Sequence, residues 1–126
     1  MEGNTLKRLP DSEFELMKIV WANPSPISTN QIMLQLELGK QWKPQTVLTL
    51  LTRMIERGFL RSERAGKERI YYPLITRDEY VAFESGSFME RFHQNSFVSL
   101  MNTLYEKSQI SEKEMDELKK WLDGKE

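Results

Sequence analysis

Cysteine is absent from these 126 residues, and histidine occurs once, at His93. Disulfides and thiolate metal sites are therefore excluded, and a lone imidazole cannot assemble a transition-metal site, so no cofactor is expected. No apolar run approaches the roughly 20 residues a membrane span needs, and Met1 to Leu9 lacks the apolar core of a signal peptide. A cytoplasmic chain without membrane insertion is expected. No nucleophile with an adjacent base and no phosphate-binding glycine loop is visible, so enzymatic activity is not expected. The acids Glu13 with Glu15, and Glu112, Glu114, Asp116 and Glu117, stand at helix starts, where they complement the helix dipole. Proline and glycine are scarce, at 5 and 6 residues, and a composition of 39% hydrophobic and 29% charged residues is that of a folded chain. The length suits one small domain with an appendage, or two very small domains.

A net charge of −1 conceals an uneven distribution. Residues 1–76 carry 11 basic and 8 acidic residues, net +3, whereas residues 77–126 carry 7 and 11, net −4. Lys40 to Arg69 alone holds 8 basic and 3 acidic residues. A local excess of this kind suits a phosphate-facing surface, although an ordinary solvated surface has the same composition.

Helix starts are marked by Ser or Thr followed three residues later by Glu or Gln, a pair that can satisfy two orphan N–H groups reciprocally. Four such pairs each precede an apolar periodic stretch: Ser12 with Glu15, Ser28 with Gln31, Thr76 with Glu79, and Ser111 with Glu114. They predict a first helix from Ser12 to Ala22, ended by Asn23-Pro24-Ser25-Pro26, and a second from Thr29 to Leu38, ended by Gly39. Pro44 suits the first position of a third helix, and Gly58 the residue just past its end. On that helix Val47, Leu48, Leu50, Leu51, Met54 and Ile55 form one core-facing arc. The opposite arc holds Gln45, Thr46, Thr49, Thr52, Arg53 and Glu56, whose amide, hydroxyl and guanidinium groups can bond base edges and phosphates.

Two short strands follow, Phe59 to Arg64 and Arg69 to Leu74, with Ala65-Gly66-Lys67-Glu68 between them, which reads as a hairpin. In the second strand Ile70, Tyr72 and Leu74 share one face. From Thr76 three helices are expected, over Arg77 to His93, Ser96 to Lys107, and Ser111 to Leu122. Their apolar residues are too many for fifty residues to hide alone, and self-association is the simplest remedy.

The fold class expected is mainly α with a small β-hairpin: a winged helix-turn-helix over 1–76, then a helical dimerisation domain over 77–126. Such a domain puts its third helix in the major groove, although winged helices also serve as protein-binding modules without operator binding. By role, Gln45, Thr46 and Thr49 are candidates for base edges, and Arg53 for base or phosphate. Lys43 stands at the entrance to the third helix. Ser28, Thr29 and Asn30 lie at a helix N-terminus suited to a phosphate, and Arg64, Lys67 and Arg69 are the wing candidates. Candidates for the dimer seam are Tyr80, Phe83, Phe88, Phe92, Phe97, Leu100, Met101, Leu104, Leu118, Trp121 and Leu122.

Several stretches resemble the penicillinase repressor family of the BlaI/MecI type. They are Leu9-Pro10-Asp11-Ser12-Glu13-Phe14-Glu15-Leu16-Met17 with Val20-Trp21, Trp42-Lys43-Pro44-Gln45-Thr46-Val47 with Leu51-Thr52-Arg53-Met54, Lys67-Glu68-Arg69-Ile70-Tyr71-Tyr72-Pro73, and Ser87-Phe88-Met89-Glu90-Arg91-Phe92. The resemblance spans roughly Arg8 to Leu122. It implies a homodimeric repressor in which each winged helix reads half of an inverted-repeat operator in double-stranded DNA, tied to β-lactam resistance genes. It also implies release through a membrane sensor protease, by cleavage after an asparagine that precedes a phenylalanine. The matching position here is Asn102, followed by Thr103. The family commonly places a serine cap before the proline of the third helix, where this chain has Lys43. Copper-responsive relatives carry a cysteine cluster that is absent here, which argues against metal sensing.

Overall fold

A computed structural model describes residues 6–37, 42–107 and 109–125. The first helix, α1 (Asp11–Ala22), starts one residue earlier than predicted. Pro10 is its N-cap, with extended ψ and no side-chain cap, and its carbonyl accepts from the Phe14 N–H at 2.9 Å. Ser12 therefore lies inside the helix and its box with Glu15 does not form; the Glu15 carboxylate meets Lys18 at 2.9 Å instead. Glu13, Leu16, Met17 and Val20 are buried, the i, i+3, i+4, i+7 spacing of one helix face. Asn23 closes the end, donating through Nδ2 to the Ile19 carbonyl at 2.7 Å.

The sequence pattern misses a two-residue strand, β1 (Ile27–Ser28), which is too short to show alternation. The α2 helix (Thr29–Glu37) opens with the predicted box: the Ser28 N–H donates to Gln31 Oε1 at 2.8 Å, and the Gln31 N–H to Ser28 Oγ at 3.1 Å. The stop expected at Leu38 and Gly39 lies outside the described residues.

The α3 helix (Pro44–Glu56) has Pro44 at its first position and Lys43 as an N-cap without a side-chain bond. At its end Gly58 takes φ 84°. The Gly58 N–H bonds the Ile55 carbonyl, and the Phe59 N–H the Met54 carbonyl, a Schellman closure. Val47, Leu50, Leu51 and Met54 are buried as expected, but Leu48 is 41% exposed and belongs to the outer face. At about 100° per residue it lies at the edge of the arc.

The strands β2 (Leu60–Ala65) and β3 (Glu68–Pro73) run right up to a two-residue turn, one residue later and one earlier than predicted. Gly66 supplies the positive φ, 68°, that so tight a hairpin requires. With β1 they form an antiparallel sheet in the order β1-β3-β2, with Ile27 opposite Tyr71 and Leu60 opposite Pro73. Leu60 and Tyr71 share the core face and are buried. The Ile70, Tyr72 and Leu74 set lies on the other face, with Leu74 53% exposed.

The core gathers Leu16, Met17, Val20, Ile32, Val47, Leu51, Met54, Phe59, Leu60, Tyr71 and Tyr80. Each contributes about 1.5–3 kcal/mol of transfer free energy when fully buried. One compact unit ends at Phe83 and a second starts at Glu84, so the division falls inside α4 (Arg77–His93), whereas the change in charge falls before it. The Thr76–Glu79 box forms in both directions, at 2.8 and 3.0 Å. In the second unit, α5 (Phe97–Glu106) is capped by Ser96 and α6 (Glu112–Asp123) by Ser111. Gln94 and Asn95 turn the chain between α4 and α5 with φ 49° and 64°. The His93 ring is 9% exposed, with Nδ1 2.9 Å from Ser99 Oγ. No described helix is long and apolar enough to cross a membrane.

Candidate nucleic-acid interface

The outer face of α3 presents Gln45, Thr46, Leu48, Thr49, Thr52, Arg53 and Glu56 to solvent. The Thr49 and Thr52 hydroxyls each donate to the carbonyl four residues back, both at 3.0 Å. Their protons are committed, but oxygen lone pairs and methyl groups remain on the surface, where they can accept a donor or meet a thymine methyl. The side chains of Lys43, Gln45, Thr46 and Arg53 have no partner among the described residues. Amides and guanidinium groups held on a rigid helix without protein partners are available to base edges and phosphates.

In the wing, the strand pleat puts Leu60, Ser62 and Arg64 on the same face as Arg69 and Tyr71. That face is buried at its base and basic at its tip. Arg64 stands opposite Arg69, and Arg69 donates to Ser62 Oγ at 3.0 Å. Lys67 is exposed in the turn.

The start of α2 is laced to β3. Thr29 Oγ1 donates to the Arg69 carbonyl at 3.4 Å, and Asn30 Nδ2 to Glu68 Oε1 at 2.7 Å. Ser28 is 7% exposed and engaged in its capping box. All three side chains of the trio Ser28, Thr29 and Asn30 are thus committed to the fold. Since the Ser28 and Gln31 N–H groups serve the capping box, only the other backbone N–H groups of the first turn are left to hold an anion there.

Two features escape the sequence pattern. Arg61 stacks over the Tyr72 ring, 3.9 Å from its centroid, and meets Glu63 at 3.4 Å on the outer face of the wing. Arg57, just past α3, pairs with the buried Glu13 of α1. The signal for the second was an acid at position 13 in the apolar series 13, 16, 17, 20.

Tyr80, expected at a dimer seam, is instead in the core of the first unit at 1% exposure, ringed by Phe14, Trp21, Phe59 and Phe83. Phe83 is half-buried and packs against the same core. Composition alone cannot tell an aromatic in an appendage from one that the preceding domain claims. In the second unit Phe88 and Phe92 are exposed, with ring centroids 5.1 Å apart. Phe97, Met101, Leu104, Ile110, Leu118 and Trp121 line an apolar groove of about 490 Å³ between α5 and α6. Neither helix buries a single residue among those described. Leu100 is half-buried and Leu122 is 51% exposed. Asn102 and Thr103 are exposed within α5, and Thr103 Oγ1 donates to the Ser99 carbonyl at 3.1 Å.

Residues 9–124 match the family model described as penicillinase repressor. The chain is 34% identical over 116 residues to the penicillinase repressor of Bacillus licheniformis, covering 90% of each. It is 30% identical over 122 residues to the methicillin resistance regulatory protein MecI of Staphylococcus aureus, covering 97% of this chain and 98% of that protein. Among solved structures, the DNA binding domain of the repressor BlaI matches with TM-score 0.52 and 34% identity, over 58% of this chain and 88% of that one. The monomeric form of Bacillus licheniformis BlaI in complex with the blaP half-operator matches with TM-score 0.51 and 33% identity, over 60% of this chain and 92% of that one.

Proposed function

The chain belongs to the penicillinase repressor family, and on that premise we propose a cytoplasmic, sequence-specific DNA-binding repressor that acts as a homodimer on an inverted-repeat operator. The observation that carries this reading is the outward polar face of α3, on which Gln45, Thr46 and Arg53 have no partner among the described residues, together with the basic wing tip. Gln45, Thr46 and Thr49 read base edges from the first turns of the helix. Arg53 lies two turns further on and reaches a base or a phosphate. Lys43, the backbone N–H groups at the start of α2, and Arg64, Lys67 and Arg69 hold the phosphate backbone in register. The likeness to the structure of BlaI in complex with the blaP half-operator supports this assignment by analogy of fold.

The second domain supplies the twin. Its residues carry the acidic charge that DNA repels, and the open groove between α5 and α6 suits a second copy of the same apolar surface. The chain is a binding protein and not an enzyme. Release by a membrane sensor protease requires α5 to open locally, because Asn102–Thr103 lies within that helix. By family analogy the repressed genes are those of β-lactam resistance.

Retardation of a random duplex at low salt tests the reading. The expected result is binding whose logarithm falls with log salt by about 0.9 for each phosphate neutralised, since non-specific affinity is almost wholly electrostatic. A winged helix that docks protein would leave the duplex unshifted.

A further inference from the structure

Among the described residues, Glu13 is the one buried carboxylate, at 1% exposure. A carboxylate withdrawn from water is costly unless it is paired. Its partner is Arg57, 44 residues away in sequence, whose Nη1 donates to Glu13 Oε1. Arg57 is the C-cap of α3, so the pair joins the first turn of α1 to the end of the helix proposed to read DNA.

We propose that Glu13 and Arg57 are positioning residues that fix the slide and rotation of α3 against α1, and thereby set how its reading face meets base edges. The proposal rests on the DNA-binding reading of α3. Apolar packing is non-directional and tolerates small shifts, whereas the buried Glu13 carboxylate is satisfied only where the guanidinium of the partly exposed Arg57 reaches it. Replacing such a pair with apolar residues is often neutral or stabilising, so stability alone is a poor account of it.

The two ends of α3 are held unequally. Its C-terminal end has the Schellman closure, the buried Phe59 and the ion pair. Its N-terminal end, where Gln45, Thr46 and Thr49 lie, is held by the apolar packing of Val47 and Trp42 and has a lysine N-cap that makes no side-chain bond. At 1.5 Å per residue, Gln45 stands about 18 Å from the pinned end. A tilt of a few degrees there moves Gln45 by about 1 Å, beyond the roughly 0.5 Å within which recognition groups must be held.

The test compares the unmodified chain, Glu13→Gln, and the double variant Glu13→Leu with Arg57→Met. Each is titrated with a duplex that the unmodified chain enriches from a random pool, and with random duplex. The double variant is expected to melt at or above the parent temperature and to bind random duplex with unchanged affinity and salt slope. It should bind the enriched duplex about tenfold more weakly, the loss of roughly one well-aligned base contact. Glu13→Gln should lie between them, and if the double variant fails to fold it decides the matter by the same ratio. A specificity ratio within about twofold of the parent overturns the proposal. An equal loss on both duplexes, with the salt slope reduced by about one, also overturns it by making Arg57 a phosphate ligand. If the parent enriches no duplex, the DNA-binding reading itself fails and the inference falls with it.

Discussion

Arg64 and Arg69 stand directly opposite one another in the ladder of β2 and β3, with Lys67 in the turn they flank. Like charges opposed across strands cost roughly 0.2–1 kcal/mol. A polyanion removes that repulsion, so the arrangement makes sense where phosphates lie against it. Arg64→Thr should raise the melting temperature by a few degrees and yet weaken duplex binding, with the log–log salt slope smaller by about one. Thermal denaturation and a salt titration of the same variant check this. An unchanged slope would remove Arg64 from the contact set.

The Tyr80 hydroxyl accepts from the buried Leu9 N–H at 2.7 Å. Tyr80→Phe keeps the aromatic cluster and leaves that N–H without its acceptor, a loss of about 1–3 kcal/mol. Urea denaturation followed by circular dichroism should show a lower midpoint at constant m-value. A midpoint equal to the parent's would mean that water replaces the hydroxyl.

Much of the fold was legible because local signals are strong where backbone groups must be satisfied. Ser28 with Gln31, Thr76 with Glu79, Pro44 and Gly58 mark element ends through chemistry confined to a few residues. Ser12 misled because Pro10 begins the helix first, by geometry that needs no side-chain cap. The residues missed depend on the rest of the molecule. Ile27 becomes a strand residue only beside Tyr71, Glu13 is a core residue only because Arg57 reaches it, and Tyr80 joins the first unit only because Phe14, Trp21 and Phe59 surround it. The polar face of α3 needed periodicity alone, except at Leu48, which lies at the edge of the apolar arc and is exposed. The face of β3 that enters the core was set by its partners on either side.

The groove between α5 and α6 predicts self-association through the second domain. Leu118 lines it, and Leu118→Glu places a charge in an apolar surface that a second copy would cover. Sedimentation equilibrium at micromolar concentration should find a dimer for the parent and a monomer for the variant, with α-helical circular dichroism retained. A dimer in both cases places the seam elsewhere.

The central claim is sequence-specific reading of duplex DNA by the outer face of α3, and selection from a random duplex pool tests it most directly. The predicted result is enrichment of an inverted repeat whose binding is salt-sensitive, and whose preference over random duplex falls sharply in Arg53→Ala. Recovery of no common sequence, with retention that salt does not alter, would contradict it.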